Sequence, residues 1–561
     1  MMSRRLLTGA TIWAGPDCQP RRGWLLVAGD KVAAVGEQER GGRPPADEVV
    51  SIPGCHVLPG FVDVHLHLTQ AAWFGQGRDG SGWQSLAEAL RVISAAADAE
   101  PESEPGSGWL LFWGVARWRW PEGRLPTAAE LDQAAPGRLV LVSTADMHRG
   151  AVSSAALAAL ELDGHQGRAR ELGEDVTRDR RGRPTGELWE AAYAVALQRA
   201  LTDLAGVPAP AGDDDRVQAV LAAEARRCLR LGITHAHDPF VSPDWHEQMV
   251  ALRGSVPLRL SWATGSPAGM HCRPPGPAQA PGGPYGEAAA EVKLFADGGD
   301  RCALRLPPRA AAGLLGGAIS ESIRLRAPGP LREAMRRKLA IGPGGLRTPY
   351  LRYADAELAS LTAAYLDAGI RLRIHALGNL AGEQAARILR KVGAPPGGAT
   401  IDHLLVCDPA TAELVASTGV AVSYQPGFLS RYADMLEGAR VGRYAAVLGG
   451  RLLLQAGIPL AISSDYPPGA ADPLHNLRCA VHRQLQPGQA LAHQEAVRAY
   501  TVTAAASLDA PGRGGLAPGQ TADLVICDGD PFREGTRVTQ TWIAGQPAWP
   551  EPAQTAGNPG P

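Results

Sequence analysis

The chain has 561 residues, and its 55 Lys and Arg side chains against 57 Asp and Glu give a formal net charge of −2. This near balance disfavours a nucleic-acid partner held by a basic field. With 45% hydrophobic and 20% charged residues, the composition excludes a disordered chain. No segment approaches the roughly 18 apolar residues of a membrane span, and the eight cysteines include no C-x-x-C pair. We expect a soluble, cytoplasmic protein with reduced thiols and no membrane partner.

Short β-prone segments at both ends of the chain predict a small β-domain. They are Ala10–Trp13, Gly23–Ala28, Val32–Val35, Ala522–Cys527 and Val538–Ile543. Neither end can bury enough surface alone. We therefore predict one composite β-sandwich domain made of residues 1–58 and 501–550, followed by a loose tail over 551–561.

The centre of the chain alternates apolar segments of strand length with longer helical patterns. The eight segments are His56–Leu68, Gly232–Asp238, Pro257–Thr264, Glu291–Asp297, Ile370–Leu377, Thr400–Leu405, Gly419–Gln425 and Ile458–Asp465. Such alternation is typical of βα units around a parallel sheet. It predicts an α/β fold, a (β/α)8 TIM-like barrel over 59–500 with a large insertion at about 71–217. Without the insertion, the length is near the roughly 250 residues typical of that barrel.

Two segments around the barrel carry their own signals. The insertion contains an extra predicted strand at Leu139–Thr144 and four tryptophans, which favour packing on the barrel over a substrate clamp. The tryptophans are Trp109, Trp113, Trp118 and Trp120. From Arg301 to Pro349, the Pro and Gly content predicts a mobile loop over the site.

Polar residues at the ends of the predicted strands are candidates for metal binding. His65 and His67 end the first strand two residues apart, so both face the same side. Four other strands each supply one polar group in or at the end of the strand: Lys293, His375, His403 and Asp465. Because the carboxyl ends of barrel strands converge, these groups are expected to meet at one site.

This set of residues suits Zn²⁺ or a neighbouring divalent ion, since imidazole and carboxylate are its usual ligands. An open coordination position holds a water whose pKa falls from 15.7 to about 7. Two ions need a bridging anion, which an uncarboxylated Lys293 cannot supply. The alternative for Lys293 is an ammonium group paired with a nearby acid such as Asp297.

Three further histidines are weighed as substrate-contacting residues. His235 and His237 form a second H-x-H at a strand end, but lack the surroundings of His65, so we expect pocket positions for them. His148 and Asp146 lie in the insertion, where a capping segment can reach over the barrel mouth. The alternative there is a surface turn.

Two long motifs carry a resemblance to a known family. The segment Leu58–His67 (LPGFVDVHLH) resembles the opening of the metal-dependent amidohydrolase superfamily, and Gly515–Val525 is similar to its C-terminal β-domain signature. Four shorter motifs resemble the amidohydrolase type-3 branch, which includes N-substituted formamide deformylase-like and YtcJ-like proteins. They are Gly123–Thr127, Asp146–His148, Val292–Gly298 and Ser464–Pro467.

The resemblance implies a distorted barrel beside a composite β-domain and a hydrolase of non-peptide C–N bonds. It further implies that His65, His67, His375 and His403 bind one or two ions, most simply Zn²⁺, that Lys293 is a CO₂-derived carboxylated bridging ligand, and that Asp465 is both ligand and proton acceptor. The expected substrate is a small amide, N-substituted formamide or cyclic amide. Two alternatives stay open: deamination of an aminated ring, and an inactive barrel that binds metal or another protein. A homodimer is also left open.

Overall fold

Eight parallel strands form the central sheet of the computed structural model. The structure describes residues 3–37, 42–100, 108–207, 214–266, 268–276, 290–324, 326–336, 338–342, 345–438 and 440–551. The predicted tail lies outside these residues except for its first position. In chain order, the central strands are Phe61–Asp63, Ile233–Val241, Arg259–Thr264, Glu291–Phe295, Arg371–Ala376, Ala399–His403, Ala421–Tyr424 and Leu460–Ile462.

These strands neighbour one another in the order in which the chain makes them, so the sheet winds into a (β/α)8 barrel. The paired ladder runs from the first strand to the eighth. Backbone contacts beyond the strand ends then bring these two strands together. Asp465 donates its N–H to the carbonyl of His65 over 2.7 Å, and Ser464 donates its N–H to the carboxylate of Asp63 over 3.0 Å. The barrel is therefore nearly closed at the end where the candidate site lies.

Helices connect or follow the barrel strands, as the alternating pattern predicts. They are Leu68–Phe74, Asp214–Arg230, His246–Ser255, Asp355–Asp367, Asn379–Val392, Pro409–Ala416, Phe428–Gly438, Gly450–Gln455, Pro473–Val481, His493–Tyr500 and Val502–Ser507. Buried aliphatic residues of the strands and of these helices pack together in several clusters, and one of them includes Ile374, Leu389 and Val422. This packing holds the strand ends in fixed positions.

Strands from both ends of the chain form one hydrogen-bonded sheet beside the barrel. They are Arg4–Ala14, Gln19–Ala28, Lys31–Glu37, Glu48–Ser51, His56–Pro59, Leu524–Cys527, Val538–Ile543 and Gln546–Trp549. His56–Pro59 joins the two groups, because it pairs with Arg4–Ala14 on one side and Leu524–Cys527 on the other. The boundaries proposed for this domain stay a prediction.

The insertion builds a six-stranded sheet with its own helices. The strands are Arg78–Asp79, Trp109–Val115, Leu139–Thr144, Arg149–Val152, Val176–Arg178 and Pro184–Trp189, and the helices are Leu86–Ala99, Ala128–Ala134, Ser154–Ala159, Arg168–Glu171 and Glu190–Ala205. The predicted strand over Leu139–Thr144 has the observed bounds. Trp109 and Trp120 are buried, and the ring of Trp118 lies 5.8 Å from that of Tyr432. Trp118 therefore packs the insertion onto the barrel, whereas Trp120 is buried in the insertion's own core.

The prediction of a loop over 301–349 is wrong in its secondary structure. The described residues there form two helices, Ala310–Arg324 and Gly329–Arg336, and a small sheet of Arg305–Leu306, Ala340–Gly342 and Gly345–Arg347. The segment Ala310–Arg324 is rich in alanine and leucine, and this local helix preference outweighs the flanking prolines and glycines. The segment still borders the site, because Leu304 and Thr348 line its cavity.

No helix in the described part of the chain is long and apolar enough to cross a bilayer. All eight cysteines are free thiols.

Candidate metal centre

Two histidines beyond the first barrel strand converge on one carboxylate. The Nε2 atoms of His65 and His67 lie 3.4 Å and 3.3 Å from Oδ1 of Asp465. Both histidines follow the end of Phe61–Asp63 and so lie in the connecting loop, whereas the sequence predicted them inside the strand. They meet at Asp465 because the loop is fixed by its backbone bonds to the end of the eighth strand.

His403 completes this cluster from the sixth strand. Its Nδ1 lies 3.7 Å from Oδ2 of Asp465 and 2.9 Å from Oε1 of Gln425, and its ring centroid lies 4.8 Å from that of His65. His65, His403 and Asp465 each offer one ligand atom, and these atoms all lie within 4.8 Å of one another. His403 and Asp465 have positive φ angles of 78° and 48°, a strained conformation that is concentrated at functional sites.

His375 stands next to this group at the end of the fifth strand. Its ring centroid is 4.7 Å from that of His403, and its Nε2 is 3.8 Å from Oδ1 of Asp297. Asp297 accepts backbone N–H bonds from Ala303, Leu377 and Gly378 at 2.8 to 2.9 Å. Asp297 therefore braces the loop that follows His375.

Lys293 contacts Asp402, and not the Asp297 named in the sequence-based alternative. The Lys293 ammonium group and Nη2 of Arg373, at 2.6 Å, both bind the Asp402 carboxylate, whose Oδ1 also lies 3.2 Å from Nδ1 of His65. All four side chains are buried. A buried carboxylate requires such partners, and Asp402 links the pair of cations to the histidine cluster.

The protonation states of the residues in this cluster favour metal binding. Burial lowers the pKa of His65, His375 and His403, that of His403 to about 4, so their nitrogens keep free lone pairs at neutral pH. Burial opposes the charge of Asp465, but the neighbouring His65, His67 and His403 outweigh it and hold the pKa of this carboxyl well below its usual range. The cluster thus presents neutral imidazoles and one anion, which are the forms that bind a divalent ion.

Unpaired polar atoms at the same place fit a metal ion. Within the described residues, Nε2 of His375 and Oδ1 of Asp465 are buried and have no hydrogen-bond partner. Such atoms are costly unless something compensates them. A divalent ion near Asp465 satisfies this requirement, and the donor set is the one that Zn²⁺ prefers.

The cluster opens into a cavity with mostly apolar walls. His65, His67, His375, His403, Lys293 and Asp465 all line it, together with Met270, Phe295, Leu377, Phe428, Tyr432 and Leu436. All six metal-site residues predicted from the sequence are therefore brought to one cavity. Its apolar walls suit the uncharged body of a small organic molecule.

Of the three predicted substrate-contacting residues, two line the cavity. His148 and Asp146 lie at its border, in the insertion. Nδ1 of His148 is 2.8 Å from Oε2 of Glu190; burial opposes the charge, but Glu190 outweighs it and raises the pKa of His148 to about 9. His237 does not line the cavity: its Nε2 is 3.0 Å from Oε2 of Glu291 and its Nδ1 is 2.9 Å from Oγ of Ser261. The ring of His237 is thus held by partners inside the barrel.

Sequence reasoning missed Asp402, Gln425, Glu190 and His271. Asp402 adjoins His403, and strict alternation along a strand lets only one of them face the barrel interior. The positive φ of His403 breaks that alternation and turns both inward. The position of Asp402 directly before the candidate ligand His403 was a usable signal in the sequence. Glu190 and His271 are brought to the site by long-range folding, and no local pattern marks them.

This barrel, with histidines and an aspartate gathered at the carboxyl ends of its strands, has the architecture of a metal-dependent hydrolase. The profile of the amidohydrolase family matches residues 48–548. The chain belongs to this family and is a hydrolase that acts on carbon–nitrogen bonds other than peptide bonds.

Two relatives agree with this assignment, and a solved structure agrees with the fold. The chain is 26% identical over 547 residues to the N-substituted formamide deformylase of Arthrobacter pascens, covering 93% of this chain and 94% of that protein. It is also 26% identical over 520 residues to the putative amidohydrolase YtcJ of Bacillus subtilis (strain 168), covering 88% of each. Among solved structures, an uncharacterized metal-dependent hydrolase from Pyrococcus horikoshii OT3 matches with a TM-score of 0.64 and 21% identity, over 94% of this chain and 98% of that one. This last match supports the fold.

Proposed function

We propose that the protein hydrolyses the C–N bond of a small amide, with an N-substituted formamide as the first substrate to test. One observation carries this proposal: His65, His67 and His403 converge on the carboxylate of Asp465 at the floor of a largely apolar cavity. The similarity to a formamide deformylase over nearly the whole chain supports the substrate class.

His65, His67, His403 and Asp465 would hold the divalent ion, with His375 adjacent. When bound, the ion supplies Lewis acidity, which lowers the pKa of a coordinated water and polarises a carbonyl group. The donor set supports Zn²⁺. A second ion requires Lys293 to be carboxylated, because the ammonium group cannot serve as a ligand. Lys293 is buried, and burial lowers its pKa, which favours the neutral amine that reacts with CO₂.

Asp465 moves the proton in this mechanism. Its carboxylate takes a proton from the water that attacks the carbonyl carbon, and returns it to the nitrogen as the C–N bond breaks. The products are a carboxylic acid, which is formate for a formamide, and an amine. The backbone bond from Asp465 to His65 keeps the carboxylate oriented during both transfers.

The rest of the chain positions the substrate and excludes water. Phe428 packs against Tyr432 with ring centroids 5.3 Å apart, and the single O–H of Tyr432 is shared between the backbone carbonyls of Ala145 and Pro468, each 2.9 Å from the hydroxyl oxygen. Ala145 lies in the insertion and Pro468 follows the eighth strand. Tyr432 therefore ties the insertion to the barrel mouth beside the cavity.

The test is a panel of N-substituted formamides, cyclic amides and aminated rings, supplied to protein reconstituted with Zn²⁺. We expect formate and amine from the formamides in stoichiometric amounts. Ammonia released only from the aminated rings would identify a deaminase instead. Metal binding without turnover of any class would favour the inactive barrel.

A further inference from the structure

A second cluster of ligand atoms lies beside His375, whose ring centroid is 5.4 Å from those of both His148 and His271. We propose that His148, Glu190 and His271 bind a second divalent cation, separate from the one held at Asp465. Nδ1 of His148 is 2.8 Å from Oε2 of Glu190 and 3.0 Å from Nε2 of His271, and the last two atoms are 3.3 Å apart. Each residue offers one atom to a common point.

These spacings match those of a metal site. Bonds of 2.0 to 2.1 Å in tetrahedral geometry place neighbouring ligand atoms roughly 3.3 Å apart. At the first cluster, the atoms of His65 and His67 lie 3.4 Å and 3.3 Å from Asp465. Two imidazoles and one carboxylate also form a known set of three ligands for Zn²⁺ that leaves a position open.

The charge of Glu190 calls for a cation. Its side chain is 1% exposed, and no Lys or Arg side chain in the described ranges reaches it; the other oxygen, Oε1, accepts only the backbone N–H of Arg301 at 3.2 Å. An uncompensated buried carboxylate is strongly unfavourable. Positive charge can reach Glu190 from a proton on one of the two histidines that contact it, His148 or His271, or from a metal ion shared by all three residues.

A proton satisfies this cluster less completely than a metal ion does. A proton on Nδ1 of His148 can point to one acceptor, yet Nδ1 faces both Glu190 and His271 and also receives the backbone N–H of Gly299 at 3.1 Å. An imidazole nitrogen carries a proton or a lone pair, and not both. A cation between the three ligand atoms compensates the Glu190 carboxylate and takes a lone pair from each imidazole.

The backbone is built closely around the cluster. A Cβ at Gly298 would lie 2.3 Å from the carboxyl group of Glu190, and a Cβ at Gly299 would lie 2.1 Å from the ring of His148. Glu190 and His271 have φ angles of 35° and 62°, on the strained positive side that His403 and Asp465 also occupy at the first cluster.

The second cation would border the substrate cavity. His148 lines the cavity, and its ring centroid lies 5.4 Å from that of His375, which is 4.7 Å from His403. An ion there is placed to bind an oxygen of a substrate in this cavity, which Asp465 also lines. This inference does not depend on which amide the enzyme cleaves.

The test is Zn²⁺ stoichiometry of chelator-stripped, reloaded protein by elemental analysis. We expect Glu190→Gln and His271→Asn to hold one equivalent fewer than wild type. His235→Asn is the matched control, because His235 is equally buried and bonds Ser261 outside both clusters; it should keep the full count. An unchanged count in both Glu190→Gln and His271→Asn would overturn the proposal and leave only a His148–Glu190 ion pair.

A second measurement covers loss of folding and separates this site from the first. In a His65→Ala/His403→Ala protein, the first site is removed, so added Zn²⁺ should still raise the melting temperature by binding at the second. Adding Glu190→Gln to that background should abolish the rise. No rise in the double variant would contradict the second site, while leaving the proposed hydrolysis at Asp465 to its own assay.

Discussion

Asp465 donates its backbone N–H to the carbonyl oxygen of His65 over 2.7 Å. This bond joins the loops after the eighth and first barrel strands, and it sets the Asp465 carboxylate against the His65 imidazole, with 3.4 Å between Oδ1 and Nε2. The two groups come from residues 400 positions apart in the sequence numbering. The barrel thus turns two distant motifs into one pair of ligands.

Replacing His65 should remove the first metal ion. We expect His65→Ala to lose most of the Zn²⁺ at that site together with activity, because the remaining ligands cannot complete it. His235→Ala serves as control and should keep its metal. His235 contacts Ser261 in the barrel interior, with 2.9 Å between its Nε2 and the Ser261 hydroxyl oxygen. Elemental analysis measures both. Equal metal loss in the two variants would show that the wrong H-x-H pair was chosen.

Removing the metal should destabilise the folded protein. Because the clustered ligands bind the ion only when they are assembled, occupancy at 100 times Kd adds about 2.7 kcal/mol to the free energy of unfolding. We expect chelation to lower the melting temperature of the wild type, and re-addition of Zn²⁺ to restore it. A wild-type melting temperature that is insensitive to both treatments would argue against a metal at these residues.

Lys293→Met should reduce stability far more than loss of an exposed lysine does. Lys293 and Asp402 are fully buried, and breaking such a pair costs about 3–5 kcal/mol. Lys338→Met is the matched control, because Lys338 pairs with Glu174 at the surface, where pairs contribute about 0–1 kcal/mol. Denaturant unfolding compares the two.

A second substitution at this position, Lys293→Ala, tests whether the lysine is carboxylated. If Lys293 is a carboxylated bridge, Lys293→Ala drops the metal count at the first site from two to one or none, and short carboxylic acids restore part of the turnover. If the wild type holds one ion at that site and Lys293→Ala retains it, Lys293 is a charge partner of Asp402.

Phe428→Ala should weaken binding of substrates with bulky substituents. The Phe428 ring lies 6.3 Å from that of His403 and nearly parallel to it, so it forms the wall next to the metal ligands. We expect KM for an aryl-substituted formamide to rise about tenfold, the usual effect of a lost apolar contact. An N-methyl substrate on the same variant is the control. A similar rise for both substrates would contradict a specific role for this wall.

The sequence predicted the barrel well, because each strand is an apolar segment followed by an amphipathic helix. The strand predicted over Gly419–Gln425 is observed at Ala421–Tyr424, and that over Ile370–Leu377 at Arg371–Ala376. The prediction of the first strand was less accurate. The segment from His56 divides at Gly60, where a Cβ would lie 2.3 Å from Thr234, and the chain passes there from the terminal sheet into the barrel.

The metal ligands were also predictable, since they occur in recognisable motifs at strand ends. Their buried partners were not. Asp402 and its neighbour His403 both face the interior only because of the left-handed conformation of His403, and Glu190 meets His271 only after the insertion has folded onto the barrel. Such contacts depend on tertiary structure, and the periodicity of residues along the chain does not predict them.

The most direct test of the account is Asp465→Asn, measured for metal content and turnover in the same preparation. Asn keeps the shape and one acceptor oxygen but removes the basicity. The account predicts that metal is largely retained while kcat on a cleaved formamide falls by about 10² to 10⁴, the usual contribution of general acid–base catalysis. A variant with full metal and near wild-type kcat would contradict the assignment of proton transfer to Asp465.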